Sequence, residues 1–127
     1  RACAFCAIPS FRGVQRSLTP DAVLAEARTL VGQGVHELVL VAQDLAWYGR
    51  DAGEPGALAP LLRSLDTLRA DGLARVRLLY LYPSEVRDPL VATMLETRAD
   101  FSSAATAPRS CGRICQRFGT ARLPSTR

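Results

Sequence analysis

The order of hydrophobic and polar positions divides the chain into a patterned part, up to about residue 98, and an unpatterned part after it. In the patterned part, apolar residues recur at helical spacing over residues 19–32, 58–68 and 88–95. The first helix opens well, because Thr19 suits the N-cap and Pro20 the first helical position. The hydrophobic pattern therefore predicts three helices.

Two strands are predicted between these helices, over residues 35–42 and 75–82. Their centres are apolar without alternation, as is typical of parallel strands covered on both faces. Strands that alternate with helices indicate βαβ units with right-handed crossovers, and therefore an α/β fold with a parallel sheet. Ligands of such sheets collect at the carboxyl ends of the strands, where Gln43, Asp44 and residues 82–84 lie.

Charge and composition exclude several classes of protein. The sixteen basic residues are all arginines, and eleven of them precede residue 101, against all twelve acids. The positive excess therefore lies in the last 27 residues and does not indicate a nucleic-acid-binding domain. No run is long enough to span a membrane and no signal peptide opens the chain, so we expect a cytoplasmic protein of one domain at most, without a membrane partner.

The candidate chemistry begins with a Cys-x-x-Cys pair, Cys3 and Cys6. Two thiolates at this spacing can bind one metal ion or one face of an iron–sulfur cluster. Pro9, Ser10 and Gly13 follow the pair, which places it on a loop and disfavours a thioredoxin-type redox motif. Four cysteines without a secretory signal favour metal or cluster chemistry over disulfides.

The words around this pair raise its specificity. Cys-Ala-Phe-Cys-Ala-Ile-Pro-Ser-Phe-Arg-Gly, followed by Arg16 and Ser17, resembles the cluster loop of the radical-SAM methylthiotransferases. In that family the loop reads Cys-x-x-x-Cys-x-aromatic-Cys, then Ala-Ile-Pro and Arg-Gly. Cys3 and Cys6 match its second and third cysteines, and the first would stand ahead of Arg1.

The resemblance extends to about residue 97 and implies a fragment of a radical-SAM partial (β/α) barrel. It implies that Cys3 and Cys6 bind a [4Fe–4S] cluster and that Phe5 lies against the adenine of S-adenosylmethionine. Arg12 or Arg16 would pair with the methionine carboxylate, although either is also typical of a solvated loop. Gln43 and Asp44 would face the amino group of S-adenosylmethionine, or else only cap the end of the strand.

No catalytic side chain is implied, because the cofactors carry the chemistry in this family. One cluster cleaves S-adenosylmethionine reductively, and a second iron–sulfur cluster, held by an N-terminal domain, supplies the methylthio sulfur. An electron donor such as flavodoxin or ferredoxin is implied as a partner. The phrase Leu-Leu-Tyr-Leu-Tyr-Pro favours the ribosomal-protein branch, whose target is an aspartate of a small-subunit protein, over the branch that modifies an adenosine of transfer RNA.

Several alternatives stay open. Trp47 and Tyr48 either line the substrate entrance or pack over the sheet rim. Cys111 and Cys115 could join Cys3 and Cys6 in a zinc-binding structural module. The chain could also be an inactive truncated product, and we expect it not to turn over alone.

Two regions are predicted, a partial radical-SAM core over 1–98 and an unassigned tail over 99–127. The tail has no helical or strand period, so we expect it to be irregular and to contain no strand. A shifted reading frame or disorder would explain that composition.

Overall fold

The computed structural model describes residues 16–42, 44–82 and 85–97, and the backbone of residues 99–101 and 111–115. Within these ranges the chain forms helices and parallel strands that alternate. In chain order they are α1 (Pro20–Gly32), β1 (Glu37–Val41), α2 (Leu58–Asp66), β2 (Arg75–Leu79), α3 (Asp88–Glu96), β3 (Ala99–Phe101) and β4 (Cys111–Cys115). Short 3₁₀ helices cover Leu45–Trp47, Arg50–Ala52 and Thr67–Asp71.

The three predicted helices are confirmed, with small differences at their ends. Thr19 caps α1, because its hydroxyl oxygen accepts a hydrogen bond from the backbone N–H of Ala22 at 3.3 Å. The helix at Asp88 begins one residue earlier than its predicted cap, so that Arg87 stands at the N-cap and Asp88 is the first helical residue. An acid there still lies at the positive end of the helix dipole.

The strands form one parallel sheet in the order β3-β2-β1-β4. In β1 and β2, Leu38 pairs with Val76 and Leu40 with Leu78. β1 is central among the described strands, because β2 lies on one side of it and β4 on the other. The predicted α/β class with a parallel sheet is therefore confirmed.

The two outer strands correct the expectation of a tail without strands. β3 pairs with β2, placing Ala99 beside Val76, and β4 pairs with β1, placing Cys111 beside Glu37. Neither segment has an apolar period, since one is Ala-Asp-Phe and the other Cys-Gly-Arg-Ile-Cys. Strand formation here follows from the open edges of β1 and β2, which offer unpaired backbone groups, because tertiary context outweighs intrinsic strand preference.

The core lies between one face of the sheet and the helices. Leu38, Leu40 and Leu78 are buried there, together with Leu62 and Leu65 of α2. β1 is buried along almost its whole length, whereas burial in β2 alternates. The prediction that both strands are covered on both faces is thus confirmed for β1 only.

The other face of the sheet carries an ion pair. Arg77 Nε lies 2.7 Å from Glu37 Oε1, and the two side chains are only 18% and 11% exposed. Arg77 stands beside Val39 in the register of β1 and β2, so the pair crosses diagonally between the strands. Two half-hidden charges on this face set it apart from the apolar face under the helices.

Candidate functional site

The carboxyl ends of β1 and β2 are joined by the backbone. The N–H of Leu45 donates to the carbonyl of Tyr80 at 3.1 Å. Tyr80 has a φ of +62°, which bulky side chains rarely adopt, and its side chain is 57% exposed. The segments that follow the two strands are therefore neighbours at one edge of the sheet, as the parallel fold predicts.

Asp44 lies at this edge and is buried. Its Oδ1 accepts a hydrogen bond from the N–H of Ala46 at 3.1 Å and so caps the 3₁₀ helix Leu45–Trp47. The capping role weighed from the sequence is therefore present. A contact from Asp44 to S-adenosylmethionine stays a prediction, and Gln43 lies outside the described residues.

The other predicted ligands stand at or before the start of the described chain. Cys3, Phe5, Cys6 and Arg12 lie outside the described residues. Arg16 is described and exposed, and its positive charge acts on the carboxylate of Asp51. Its predicted pairing with the methionine carboxylate stays a prediction.

Ser17, which follows in the sequence, is held by Asp51. Its N–H donates to Asp51 Oδ2 at 2.6 Å and its hydroxyl donates to Oδ1 at 2.5 Å. Desolvation raises the pKa of the Asp51 carboxyl, but the hydrogen bonds from Ser17 and from its own N–H, together with the charge of Arg16, outweigh it and lower the pKa overall. The carboxylate is therefore ionised and accepting at neutral pH.

Tyr48 and Gly49 complete this contact. The buried Tyr48 hydroxyl donates to the carbonyl of Leu18 at 2.8 Å, and the N–H of Gly49 donates to Ser17 Oγ at 3.0 Å. Desolvation, with smaller contributions from the negative charges of Glu54 and Asp51, raises the pKa of Tyr48 to about 12. The phenol is therefore a proton donor throughout the physiological range.

Only glycine fits at position 49. Its φ is +81°, and a Cβ there would stand 2.5 Å from Ala57 Cβ and 2.6 Å from the carbonyl oxygen of Glu54. The sequence analysis placed Tyr48 at the rim but missed Gly49 and Asp51. The signal was an aromatic-glycine pair with an acid two residues later, directly after a strand end.

Arg50 links the same loop to the segment before α3. Its guanidinium lies 4.8 Å from the centre of the Trp47 ring and pairs with Glu85 at 2.7 Å. A groove of about 470 Å³ runs beside this pair, between residues 46–59 and 85–90. Trp47 thus packs within the loop, in line with the second of the two roles weighed for it.

The described residues contain no cluster of three histidine, cysteine or acidic side chains that could hold a metal ion. The candidate metal ligands are therefore the thiols of Cys3 and Cys6. Within the same ranges, no helix is both long and apolar enough to cross a membrane.

Known proteins resemble much of the chain, although no protein-family model matches it. It is 52% identical over 97 residues to the ribosomal protein uS12 methylthiotransferase RimO of Frankia casuarinae, covering 76% of this chain and 18% of that protein. The same values of identity and length apply to the RimO protein of Nitratidesulfovibrio vulgaris, with 22% of that protein covered. The match to the Frankia alni RimO protein is 44% over 124 residues and covers 94% of this chain and 22% of that protein, so it continues beyond residue 98. The chain spans about a fifth of the length of the curated relatives it matches.

Proposed function

Because this chain belongs to the radical-SAM methylthiotransferases of the RimO type, we propose that it forms part of the S-adenosylmethionine-binding core of an enzyme that adds a methylthio group to an aspartate β-carbon of ribosomal protein uS12. The observation that carries this proposal is the 52% identity over 97 residues to proteins named for that reaction. The matched length is about that of the patterned part of the chain. The transfer-RNA branch has no comparable support, because the relatives compared here are all named for uS12.

Cys3 and Cys6 are the proposed ligands of a [4Fe–4S] cluster. Thiolates are the donors that iron–sulfur clusters use, and a Cys-x-x-Cys spacing allows two of them to bind one cluster, so the donor set fits the group. When bound, such a cluster supplies the electron for reductive cleavage of S-adenosylmethionine. The family's second cluster is proposed to lie in a separate N-terminal domain, and the electron to come from flavodoxin or ferredoxin.

The protein's own part in this chemistry is to bind and orient. Phe5, Arg12, Arg16, Gln43 and Asp44 are proposed to contact S-adenosylmethionine. The position of Asp44 supports this, because it lies at the carboxyl edge of a parallel sheet, where ligands of such folds bind. Arg16 is close enough to Asp51 for their charges to interact, which supports a position for the cysteine-bearing segment near the same edge.

We propose further that the sheet is an arc of a partial (β/α) barrel. All its described pairings are parallel, and the helices cover the face that carries Leu38, Leu40 and Leu78. The opposite face, with Val39, Glu37 and Arg77, would then line the barrel interior. A uS12 substrate implies that the enzyme works in the cytoplasm.

Cluster binding is tested on the full 127-residue chain by anaerobic reconstitution with iron and sulfide. We expect brown charge-transfer absorbance, with iron and sulfide in equal amounts, and loss of both in Cys3→Ala and Cys6→Ala. Zinc bound without sulfide would instead support a structural zinc module. Cys111→Ala is the matched control and should retain the cluster.

Substrate choice is tested in a chimera of the Frankia casuarinae relative that carries the matching 97 residues of this chain. We expect the chimera to add a methylthio group to uS12, detected by peptide mass spectrometry, and Cys6→Ala to abolish the addition. Modification of transfer RNA, with uS12 untouched, would overturn the assignment of the branch.

A further inference from the structure

A junction of four hydrogen bonds joins Ser17 and Leu18 to the loop after β1. Ser17 gives two bonds to Asp51 and accepts one from Gly49, and Leu18 accepts one from Tyr48. All three partners lie within residues 48–51. We call this set of five residues the Ser17 junction. The proposed cofactor contacts do not use it, although it ends the segment that begins with the cysteine pair.

The Ser17 junction fixes Ser17 more tightly than a single contact would. The Ser17 hydroxyl both donates and accepts, and the two carboxylate oxygens of Asp51 each accept one bond from the same residue. Hydrogen bonds to an ionised group are stronger than those between neutral groups. Both the position and the rotation of Ser17 about its own bonds are therefore determined by Asp51.

The loop that holds Ser17 is itself held at two further points. Leu45 bonds to Tyr80 after β2, and Arg50 pairs with Glu85 before α3. The loop also contains Asp44, buried at the strand end. A residue fixed to this loop is thereby fixed relative to the carboxyl edge of both central strands.

We propose that Asp51 is a positioning residue for the cluster, which acts through Ser17 by anchoring the end of the segment that carries Cys3 and Cys6. This inference rests on the proposed function. Ser17 follows Cys6 by eleven positions, so the anchor limits the distance that the cysteines can move from the carboxyl edge. Asp51 is exposed and lies outside the hydrophobic core, so its removal should loosen this segment without unfolding the sheet.

The test uses the full chain, reconstituted with iron and sulfide, and the variant Asp51→Asn. We expect iron loss to an added chelator to be about tenfold faster, because removal of outer partners of metal ligands typically costs 10–100-fold in affinity. We also expect a changed electron paramagnetic resonance spectrum of the reduced cluster, which a loss of global stability alone would not produce. Asp71→Asn is the matched control, since Asp71 is exposed and precedes β2 at the opposite edge of the sheet.

Ser17→Ala provides a second, milder test that also covers a failure of Asp51→Asn to fold. It removes the hydroxyl contacts and leaves the N–H bond to Asp51, so we expect iron loss to accelerate by a smaller factor. Its effect should shrink when Asp51 is already Asn, because both changes act on one contact.

The outcomes separate this inference from the proposed function. Iron-loss rates and spectra that are equal in Asp51→Asn and Asp71→Asn, with the cluster present, would overturn the role of Asp51 alone. If the unaltered chain takes up neither iron nor sulfide, the proposed function falls and the inference falls with it.

Discussion

The N–H of Leu45 and the carbonyl of Tyr80 are joined by a hydrogen bond of 3.1 Å, which ties together the ends of two strands that are far apart in the sequence. Tyr80 makes this bond from a left-handed backbone conformation, φ +62°, that costs an L-residue about 1–2 kcal/mol. Strain in a residue with an exposed side chain is seldom kept unless the surrounding contacts require it.

Tyr80→Gly should therefore be more stable than Tyr80→Ala by about 1 kcal/mol in the free energy of unfolding, because only glycine adopts this φ without strain. Urea unfolding of the two variants measures the difference. The matched pair is Leu95→Gly and Leu95→Ala, at an exposed site in α3, where glycine should be less stable by about 1 kcal/mol. The same sign at both positions would contradict the assigned conformation of Tyr80.

Gly49→Ala should destabilise the chain by about 2–4 kcal/mol, since it combines backbone strain with overpacking against Ala57 and Glu54. Gly53 offers a close comparison, because its φ is +82° but nothing lies within 4 Å of an added Cβ. Gly53→Ala should therefore cost only about 1 kcal/mol, the strain alone. Equal losses in thermal or urea unfolding would show that the close contact at Gly49 is relieved without cost.

The lowered pKa of Asp51 predicts a loss of stability in acid. A carboxyl whose pKa is lower in the folded state binds its proton more weakly there, so its contribution is complete above the unfolded pKa of about 4 and disappears as the pH falls through the folded value. The difference in unfolding free energy between the unaltered chain and Asp51→Asn should shrink over that range. Urea unfolding at a series of pH values measures it, with Asp71→Asn as the control for the general loss of one carboxylate.

Tyr48 predicts the opposite dependence in alkali. Its pKa is raised from 10.0 to about 12, so the folded state holds the phenolic proton more tightly, and the resulting stability is present below pH 10.0 and lost as the pH rises towards about 12. Tyr48→Phe should lose this dependence and cost about 1 kcal/mol at neutral pH through the missing bond to Leu18. Ultraviolet titration of tyrosinate, compared between the two proteins, detects the delayed ionisation. A Tyr48 that ionised with the exposed tyrosines would contradict its burial.

The sequence predicted the central part of the fold because that part depends on local signals. The cap at Thr19, the apolar runs at Leu38 and Leu78, and the turn at Gly72 each act within a few residues. β3 and β4 could not be predicted in this way. Their pairing depends on free edges of strands elsewhere in the chain, and nothing in Ala-Asp-Phe or Cys-Gly-Arg-Ile-Cys indicates those edges.

The candidate site divides along the same line. A position for Asp44 at a strand end follows from the end of an apolar run, and that prediction is confirmed. The bond between Ser17 and Asp51 spans 34 positions, and a pattern read along the chain gives no measure of such a separation. The roles of Cys3, Cys6, Phe5, Arg12, Arg16, Gln43 and Asp44 in binding cofactors stay predictions.

The ion pair between Glu37 and Arg77 has a consequence for the opposite end of the sheet. A slip of β2 by one residue along β1 would turn Arg77 towards the helices and Leu78 away from them, stranding a charge in oil and a leucine in the open. Slippage is therefore opposed at the amino end of β1, whereas its benefit is felt beyond the carboxyl end, where Leu45 must meet the carbonyl of Tyr80. A pair of charges remote from the cofactor edge thus acts as the ruler that keeps that edge in line.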